Sequence, residues 1–263
     1  MSIIKRKLAQ LIDRLGYQII RKPSFKVVND SQDAFSEQHR ICQILGKDVK
    51  VVFDVGAHVG QSAVKYRSLF PSATVYSFEP SKSCYDEIVT LARKDSNIVP
   101  LNIALDCKLG SGNFYDTGGQ TSSLLAPSEQ VSYLYPKAYF EIKRMIEVPI
   151  DTIDNICKSN DVLNIDILKM DTQGTEDKVL MGAEGMIKGA NIDLIYTEVS
   201  FTEIYSNQVL FHDLCRLLSQ YGYSLFNLYE IVRGSNGLIV GTDALFLRKE
   251  LYETVRNRGE ILK

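Results

Sequence analysis

From residue 50 onward, short runs of β-branched and other apolar residues alternate with amphipathic stretches. Positions 51–53 read Val-Val-Phe, and positions 192–195 read Ile-Asp-Leu-Ile. These runs are nearly continuous in hydrophobicity, as expected for strands that are buried on both faces. The alternation is typical of a central parallel sheet with helices packed on its two faces.

The pattern predicts the positions of the main strands and helices. Strands are expected at about 50–55, 74–79, 98–103, 165–171, 192–199, 223–229 and 242–248. Helices are expected at about 60–70, 82–95, 174–188 and 208–221. Ser81 is the candidate N-cap of the second helix, and Gly222 is the candidate glycine just beyond the last one.

The last two strands are separated by only about a dozen residues, among them several glycines. This connection is short for a helical crossover and suits a hairpin, so the final strand should run antiparallel to its neighbour. The expected fold class is therefore α/β and Rossmann-like. Its seven-stranded, mostly parallel sheet has the last strand antiparallel and helices on both faces.

We expect three parts along the chain: an N-terminal helical extension over 1–47, a main domain over 48–250 and a C-terminal tail over 251–263. Within the main domain the alternation breaks down over 104–164, where glycines and a tyrosine-rich run replace it. A long irregular insertion in a compact domain is commonly functional, and this one is a candidate lid over a ligand site.

Apolar residues recur at helical spacing in the first 15 positions, among several basic residues. They are Ile4, Leu8, Leu11, Ile12 and Leu15, with Lys5, Arg6, Lys7 and Arg14 between them. The simpler interpretation is a helix that packs on the main domain or on a second subunit of an oligomer. The alternative is a basic amphipathic helix that lies on an anionic membrane surface.

Composition and charge narrow the range of partners. Thirty Lys and Arg against 32 Asp and Glu give a formal charge of -2, which argues against nucleic acid as the main partner. The five cysteines are isolated, with no C-x-x-C pair, as in a cytoplasmic protein with reduced thiols and no cysteine metal site. No run approaches the ~18 consecutive apolar residues of a membrane span, and no secretory signal is evident, so we expect a cytoplasmic location.

The strongest local signal is Asp-Val-Gly-Ala-His-Val-Gly at 54–60, which follows a buried strand and opens a helix. Gly56 and Gly60 allow the backbone to turn tightly and approach a ligand, and the helix N-terminus offers free N–H groups. His58 stands where a dinucleotide-binding turn needs glycine beside the pyrophosphate, which disfavours NAD. S-adenosylmethionine has no pyrophosphate, and Asp54 is placed to hold its ammonium group directly or through water.

A second carboxylate follows the second predicted strand, which ends Phe78-Glu79-Pro80, about 20 residues beyond the glycine turn. A carboxylate at this position can accept hydrogen bonds from both ribose hydroxyls of a nucleoside cofactor. Without Gly56 and Gly60, the better interpretation of Glu79 would be a solvated acid at a strand end or a helix N-cap. The glycine turn is what favours the cofactor role.

Together with these two motifs, further segments form an ordered set that resembles the FkbM family of methyltransferases across roughly residues 50–248. They are Asn102-Ile-Ala-Leu-Asp106, Asp151-Thr152-Ile153-Asp154 and Lys169-Met-Asp171-Thr-Gln-Gly174-Thr-Glu176, with Val179-Leu180 and Gly182-Ala183 behind. The resemblance implies a class I methyltransferase fold, S-adenosylmethionine as cofactor and S-adenosylhomocysteine as product. It also implies that the stretch 104–106 borders the adenine, although Asp106 is equally a turn residue. The predicted cofactor contacts are Asp54, Gly56, Ala57, Gly60, Glu79, Pro80, Ala104, Leu105, Asp106 and Asp171.

Methylation of a hydroxyl requires that the acceptor lose its proton, either to a general base or with the help of a metal ion. Asp171 and Glu198 end the fourth and fifth predicted strands, and ligands of open α/β sheets lie at such strand ends. Both are therefore candidate catalytic residues, with helix capping and backbone orientation as their respective alternatives. His58 is a third candidate, because imidazole suits proton transfer, and a turn-stabilising hydrogen bond is its alternative. Nothing in the sequence indicates a metal site.

Acceptor recognition is expected in the insertion. Thr121, Ser122 and Ser123 form a hydroxyl-rich loop after two glycines, and Tyr133 and Tyr139 supply flat apolar faces that suit a sugar ring. The alternative is that these aromatic residues seal the core under a long loop.

The predicted function is S-adenosylmethionine-dependent O-methylation of a hydroxyl on a sugar, glycan or secondary metabolite. One alternative is N-methylation of an amino sugar or another amine. A second is a non-catalytic scaffold that binds the cofactor. Gln173 supports the scaffold alternative, because the family often has glutamate at this position. The family also often has asparagine where this chain has His58.

Overall fold

The computed structural model describes residues 33–135, 137–234 and 237–259. The amphipathic helix expected within the first 15 residues lies outside this part of the chain.

The main sheet confirms the predicted Rossmann-like architecture. Its strands are β1 (Val51–Val55), β2 (Thr74–Phe78), β3 (Ile98–Leu101), β7 (Ile165–Met170), β8 (Ile192–Ser200), β9 (Tyr223–Arg233) and β10 (Ile239–Arg248). They lie side by side in the order β3-β2-β1-β7-β8-β10-β9. Strand β10 runs antiparallel to both of its neighbours, and the pairs among β3, β2, β1, β7 and β8 are parallel. The short connection between β9 and β10 is therefore a hairpin, as predicted.

Helices cover both faces of this sheet. They are α1 (Ala34–Leu45), α2 (Gln61–Leu69), α3 (Lys82–Ala92), α4 (Ile153–Ser159), α5 (Glu176–Met181), α6 (Glu184–Lys188), α7 (Phe211–Gln220) and α8 (Lys249–Gly259). Apolar residues of α4 to α7 pack on one face of the sheet, and apolar residues of α1, α2, α3 and α8 pack on the other. Within the described residues, no helix combines the length and apolarity needed to cross a bilayer.

Several helix details differ from the predicted pattern. The helix expected over 174–188 is broken into α5 and α6 at Gly182, where a Cβ atom would lie 2.2 Å from the carbonyl oxygen of Asp106. Ser81 occupies the N-cap position of α3, but its hydroxyl is hydrogen-bonded to that of Ser83 and caps no backbone N–H. Gly222 follows α7 with φ +82°, as expected for a glycine just beyond a helix end.

The stretch expected to be an irregular insertion contains a second, three-stranded sheet. Strand β6 (Arg144–Asp151) lies between β4 (Ala104–Leu105), which is parallel to it, and β5 (Gly110–Asp116), which is antiparallel. Two single-turn 3-10 helices, Glu129–Tyr133 and Lys137–Tyr139, lie between β5 and β6. A small apolar cluster around Phe114 and Val148 forms the core of this sheet.

The predicted C-terminal tail is helical over most of its length. Helix α8 buries Val255 in the apolar layer that it shares with α1, and the guanidinium of Arg258 donates a hydrogen bond to the carbonyl oxygen of Ile44. These contacts tie α8 to the end of α1, so both helices belong to the layer on one face of the sheet.

Candidate active site

A cavity of about 380 Å³ opens at the carboxyl ends of β1, β2, β7 and β8. The glycine turn after β1 and Glu79 after β2 form one side of it. Asp171 after β7 and Glu198 near the end of β8 form another side. The residues predicted for cofactor binding and for catalysis therefore meet at one cavity, although not all of them line it.

The glycine turn joins three strand ends by backbone contacts. Gly56 has φ +73°, and a Cβ atom there would lie 1.9 Å from the carbonyl oxygen of Asp171. The amides of Gly56 and Ala57 both donate to the carbonyl oxygen of Phe78, and the amide of His58 donates to the Glu79 carboxylate. The N–H groups of the turn itself are therefore engaged within the protein, whereas the free donors were expected at the helix N-terminus. Gln61 and Ser62, in the first turn of α2, line the cavity and lack intrahelical partners for their amides.

Gly60 does not line the cavity. It lies at the N-cap of α2 with φ +86°, and a Cβ atom there would lie 2.6 Å from a methyl group of Leu91 in α3. The second glycine of the motif thus allows α2 to begin against α3, and the expected direct contact with the cofactor is not supported.

Asp54 is also absent from the cavity lining. Its carboxylate is fully buried, and the ammonium group of Lys169 lies 3.0 Å from one of its oxygens. Burial raises the pKa of Asp54 above its ordinary value, and the charge of Lys169 opposes this shift. The carboxylate therefore forms an ion pair inside the protein and does not line the cavity, which argues against a direct contact with the cofactor ammonium. The contact through water stays a prediction.

Lys169 is a site residue that sequence reasoning missed. It lines the cavity, donates to the carbonyl oxygen of Gly56 at 3.1 Å, and lies 3.8 Å from the carboxylate of Asp171. Burial disfavours its charge, but the charges of Asp54 and Asp171 outweigh burial and raise the pKa of Lys169. The available signal was a lysine inside the mostly apolar fourth predicted strand, two positions before Asp171.

Glu79 is buried at the cavity wall with both carboxylate oxygens engaged. One accepts the amide of His58 and the other accepts the amide of Ser81, each at 2.8 Å. Burial raises the pKa of Glu79 to about 7, even though both backbone donors favour the ionised form. Each oxygen retains a second lone pair, so the carboxylate can still accept hydrogen bonds from a ligand.

Apolar residues line the cavity next to Glu79. Pro80, Ala104 and Leu105 are among them, as predicted, and Ile103 and Phe114 add to the same surface. Asp106 does not line the cavity. Its carboxylate accepts the amide of the following residue, Cys107, at 2.6 Å. The structure thus favours the turn-residue alternative for Asp106. Phe114 was missed because it comes from β5, in the stretch predicted to be irregular.

Asp171 and Glu198 are brought together by a residue between them in the sequence. The side-chain amide nitrogen of Gln173 donates to Asp171 Oδ1 at 2.8 Å and to Glu198 Oε2 at 2.5 Å. Burial raises the pKa of Glu198 well above its ordinary value, and the adjacent carboxylate of Asp171 raises it further. Among the described residues, no backbone amide donates to the carboxylate of Asp171 or Glu198, so the structure does not support helix capping by Asp171 or backbone orientation by Glu198. The amides of Thr172 and Gly174, before α5, are accepted by Glu176.

His58 lines the cavity on the Glu79 side. Its backbone has φ +49°, and its Nδ1 atom is buried without a partner among the described residues. The hydrogen bond that fixes its position is made by its backbone amide. Within the part of the chain that the structure describes, no hydrogen bond or ion pair joins the imidazole to the carboxylate of Asp171 or Glu198.

Of the three hydroxyl residues predicted for the acceptor loop, Ser122 lines the cavity, and Thr121 and Ser123 do not. Gly118, Gly119, Gln120 and Ser122 line the cavity. Thr121 is hydrogen-bonded to Thr117 and to the carbonyl oxygen of Tyr139, and buried Ser123 donates to the carbonyl oxygen of Gln173. These two hydroxyls hold the loop and do not face the cavity.

Tyr133 and Tyr139 lie outside the cavity. Their exposed fractions are 86% and 62%, so their rings face solvent beyond the loop. The aromatic composition of this segment suggested a ring-stacking surface, but the structure places neither tyrosine where it could contact an acceptor in the cavity.

Asp116 is a buried acid at the cavity wall that sequence reasoning also missed. Its carboxylate accepts the Nε of Arg144 and the amide of Gly118, at 2.6 and 2.7 Å. It therefore fixes the start of the loop to β6. Within the described ranges, no cluster of three or more His, Cys, Asp or Glu side chains is arranged to hold a metal ion.

The strand order, the glycine turn after β1 and the carboxylate after β2 together define a class I, Rossmann-like methyltransferase. A sequence model of the methyltransferase FkbM domain matches residues 54–225. The chain belongs to this family and is an S-adenosylmethionine-dependent methyltransferase.

Two relatives align with most of the chain. The 2-O-methyltransferase NoeI of Sinorhizobium fredii (strain NBRC 101917 / NGR234) is 26% identical over 216 residues, covering 77% of this chain and 81% of the relative. Methyltransferase sdnD of Sordaria araneosa is 26% identical over 195 residues, covering 65% of this chain and 74% of the relative.

Solved methyltransferase structures align more distantly. Methyltransferase FkbM from Methylobacillus flagellatus KT aligns with a TM-score of 0.45 and 13% identity, over 76% of this chain and 44% of that chain. Magnesium protoporphyrin IX methyltransferase from Synechocystis PCC 6803 with bound SAM aligns with a TM-score of 0.42 and 12% identity, over 94% and 98%.

Proposed function

We propose that this methyltransferase transfers the methyl group of S-adenosylmethionine to a hydroxyl group of a sugar, glycan or secondary metabolite. One observation carries the proposal: Asp171 and Glu198 face the same cavity as Glu79 and the glycine turn. A hydroxyl acceptor has to lose a proton, and a paired set of carboxylates beside the cofactor surface is suited to take it.

The residues on one side of the cavity fit S-adenosylmethionine. Glu79 can accept hydrogen bonds from the ribose hydroxyls, and the apolar surface of Ile103, Leu105 and Phe114 matches the adenine ring. The amides at the start of α2 suit the methionine carboxylate, because free N–H groups and the helix dipole favour an anion. We therefore assign this half of the cavity to the cofactor.

The other half of the cavity suits the acceptor. Gln120 and Ser122 line the same cavity as Asp171 and Glu198 and carry polar side chains. Gly119 also lines it, and a Cβ atom there would meet only the Thr117 hydroxyl, at 4.0 Å. We propose that the segment from 117 to 122, held by Asp116 and Arg144, binds the acceptor and excludes water from the reacting groups. This assigns the lid role to the loop itself and not to the exposed tyrosines beyond it.

In the proposed reaction, bound cofactor supplies a methyl group attached to positively charged sulfur. The protein holds the acceptor oxygen in line with that methyl group, which can contribute a large part of the rate enhancement. Asp171 and Glu198 accept the hydroxyl proton as the new bond forms. Lys169 fixes both the glycine turn, through Gly56, and the position of Asp171.

The name of the relative NoeI, a 2-O-methyltransferase, supports an oxygen acceptor. The carboxylates argue in the same direction, since they would hold an amine in its protonated form, which has no free electron pair to attack a methyl group. Gln173 does not leave the site without a base, because it bridges two acids that are both present. The non-catalytic scaffold is thereby the weaker alternative.

The test combines binding with transfer of label. Calorimetry should show that S-adenosylhomocysteine binds and NAD does not. Labelled methyl groups from S-adenosylmethionine should then reach neutral oligosaccharides or polyhydroxylated natural products, in a panel that pairs each with an amino-substituted analogue. Transfer only to the amines would establish N-methylation instead, and binding without any transfer would favour a scaffold.

A substitution at Asp171 tests whether the reaction takes place in this cavity. Asp171→Asn should retain the affinity for S-adenosylhomocysteine and lower kcat by roughly 10²-fold or more, the range expected when a general base is lost. Exposed Asp86, which pairs with Lys82 on α3, offers the matched control Asp86→Asn, for which kcat should be unchanged. Full activity of Asp171→Asn would remove this residue from the reaction.

A further inference from the structure

We propose that Asp171 and Glu198 act as a single unit that holds one shared proton at neutral pH, and that Gln173 is the positioning residue that keeps the unit together. The inference rests on the proposed function, because it specifies the proton acceptor of that reaction. It assigns to Gln173 a role that its neutral side chain does not suggest from sequence.

The geometry of Gln173 carries the proposal. One nitrogen atom donates to an oxygen of each carboxylate, so the two acids share a single hydrogen-bond donor group. The opposite end of the amide accepts a hydrogen bond from the phenol of Tyr205 at 2.7 Å. A carboxyl oxygen without a proton can only accept and the phenol can donate, so the amide nitrogen faces such oxygens of the two acids and the amide oxygen faces Tyr205.

The backbone around Gln173 is fixed as well. Its φ is +59°, a conformation that non-glycine residues rarely adopt without support from their surroundings. Ser123 donates to its carbonyl oxygen at 2.8 Å, and buried Glu176 accepts the amides on either side of it, from Thr172 and Gly174. The turn is therefore held at several points, as expected for a residue that positions its neighbours.

The charges around the pair favour one retained proton. Two carboxylates within reach of the same atom repel one another when both are ionised, so one of them keeps its proton to a higher pH. Burial raises the pKa of Glu198, and Asp171, Glu176 and Asp243 raise it further. Lys169 is the charged group of opposite sign beside the pair, and it lies next to Asp171. The retained proton therefore belongs on Glu198.

Gln173 suits this arrangement better than an acid would. A glutamate at this position would add a third negative charge to the group, whereas the amide donates to both carboxylates without changing their total charge. Tyr205 extends the arrangement to the acceptor loop, because its hydroxyl also lies 3.0 Å from the carbonyl oxygen of Thr121. The loop and the pair are thus connected through one phenol.

A pair that holds one shared proton determines the proton balance of the reaction. Before transfer the unit carries one proton and a charge of minus one. As the acceptor O–H bond breaks, its proton passes to the unit, which becomes neutral, and the electron pair of that bond remains on oxygen. An oxygen electron pair forms the new C–O bond, and the electron pair of the C–S bond stays on sulfur. The second proton then leaves to solvent.

Carboxyl titration tests the pair without requiring the acceptor. The measurement is carbon-13 NMR of the full chain, labelled at the Asp and Glu carboxyl groups, with S-adenosylhomocysteine present. The variants Asp171→Asn and Glu198→Gln assign the two resonances. In the wild type we expect two coupled steps, with one proton still bound at pH 7. In Asp171→Asn, Glu198 should titrate at lower pH, because its ionised neighbour is gone.

Gln173→Met tests the positioning role. It keeps the length of the side chain but removes the donor that favours the ionised forms, so the steps of the pair should move upward by roughly one pH unit. Tyr205→Phe should move the titration steps in the same direction by a smaller amount. This variant provides the test if Gln173→Met does not fold. Gln120→Met, which changes another amide at the cavity, should leave them unmoved.

Two results would overturn the inference: independent titration of both acids near their ordinary values, or steps that do not move in either Gln173→Met or Tyr205→Phe. Neither result would affect the proposed function if labelled methyl groups still reach a hydroxyl. Conversely, failure of S-adenosylhomocysteine to bind would defeat the proposed function, while the titration of the pair could still be followed in the free protein.

Discussion

The ammonium group of Lys169 lies 3.0 Å from the carboxylate of Asp54, and both side chains are buried. The two residues are direct partners across the parallel pair β1 and β7, immediately before the turns that carry Gly56 and Asp171. A charged pair inside the sheet is costly to desolvate, so each residue depends on the other. The pair thereby links the cofactor turn to the proposed proton acceptor.

Replacing Lys169 by Met should destabilise the fold by roughly 3–5 kcal/mol, because it leaves the Asp54 carboxylate buried without its partner. The double variant with Asp54→Asn should recover part of that loss, since no charge then remains at the site. Urea unfolding followed by circular dichroism measures both. The matched control is Lys82→Met, whose exposed pair with Asp86 should change stability by only about 0.5 kcal/mol or less. Equal effects of the two lysine substitutions would contradict this account.

Alanine substitutions at Gly56 and Gly46 distinguish the cost of a left-handed backbone conformation from the cost of a steric overlap. Their φ angles are +73° and +67°, so alanine at either position meets a similar conformational cost of about 1–2 kcal/mol. At Gly46 the new methyl group meets open space, whereas at Gly56 it would overlap the carbonyl oxygen of Asp171. Gly56→Ala should therefore lose more stability than Gly46→Ala and also lose affinity for S-adenosylhomocysteine. Urea unfolding and calorimetry would show the difference, and similar behaviour of both variants would rule out the contact.

Features that depend on short stretches of sequence were predictable. The main strands follow from nearly continuous apolar runs, and the hairpin between β9 and β10 follows from the length of its connection. Glu79, Asp171 and Glu198 could be found because each stands at or near the end of such a run, and strand ends of one sheet meet at one edge.

Features that depend on distant contacts were not predictable. The second sheet was missed because β6 contains Pro149 and pairs with strands far away in sequence. The roles of Asp54 and Gln173 depend on partners, Lys169 and Tyr205, that local patterns do not identify. Aromatic residues in a loop likewise carry no information about the direction of their rings, which is why Tyr133 and Tyr139 were expected in the cavity.

The loop over the cavity should affect the acceptor and not the cofactor. Gln120 lines the cavity, so Gln120→Ala should raise the acceptor KM by roughly tenfold, the effect of about one lost hydrogen bond, with unchanged affinity for S-adenosylhomocysteine. Tyr133→Ala changes an exposed residue of the same insertion, outside the 117–122 segment, and should alter neither quantity. Steady-state kinetics with the acceptor found by label transfer, together with calorimetry, make the comparison. A rise in KM for Tyr133→Ala alone would return acceptor binding to the exposed tyrosines.

Glu79 should make cofactor affinity depend on pH. Burial raises the pKa of Glu79 to about 7 from an ordinary 4.5, and only its ionised form can accept hydrogen bonds at both oxygens. The affinity for S-adenosylhomocysteine should therefore increase as pH rises through about 7 and then level off. Below pH 7, binding should release a proton, which calorimetry in buffers of different ionisation enthalpy detects.

The stability of the free protein should show the opposite trend for the same group. Because the folded state binds the Glu79 proton more tightly than the unfolded state, its stabilising contribution is complete below pH 4.5 and is lost as pH rises to about 7. Glu79→Gln removes the titrating group, so its free energy of unfolding should increase relative to the wild type across that interval. The same variant should bind S-adenosylhomocysteine more weakly, and with no dependence on pH near 7. An unchanged pH dependence of binding in Glu79→Gln would show that another group is responsible and that Glu79 does not contact the cofactor.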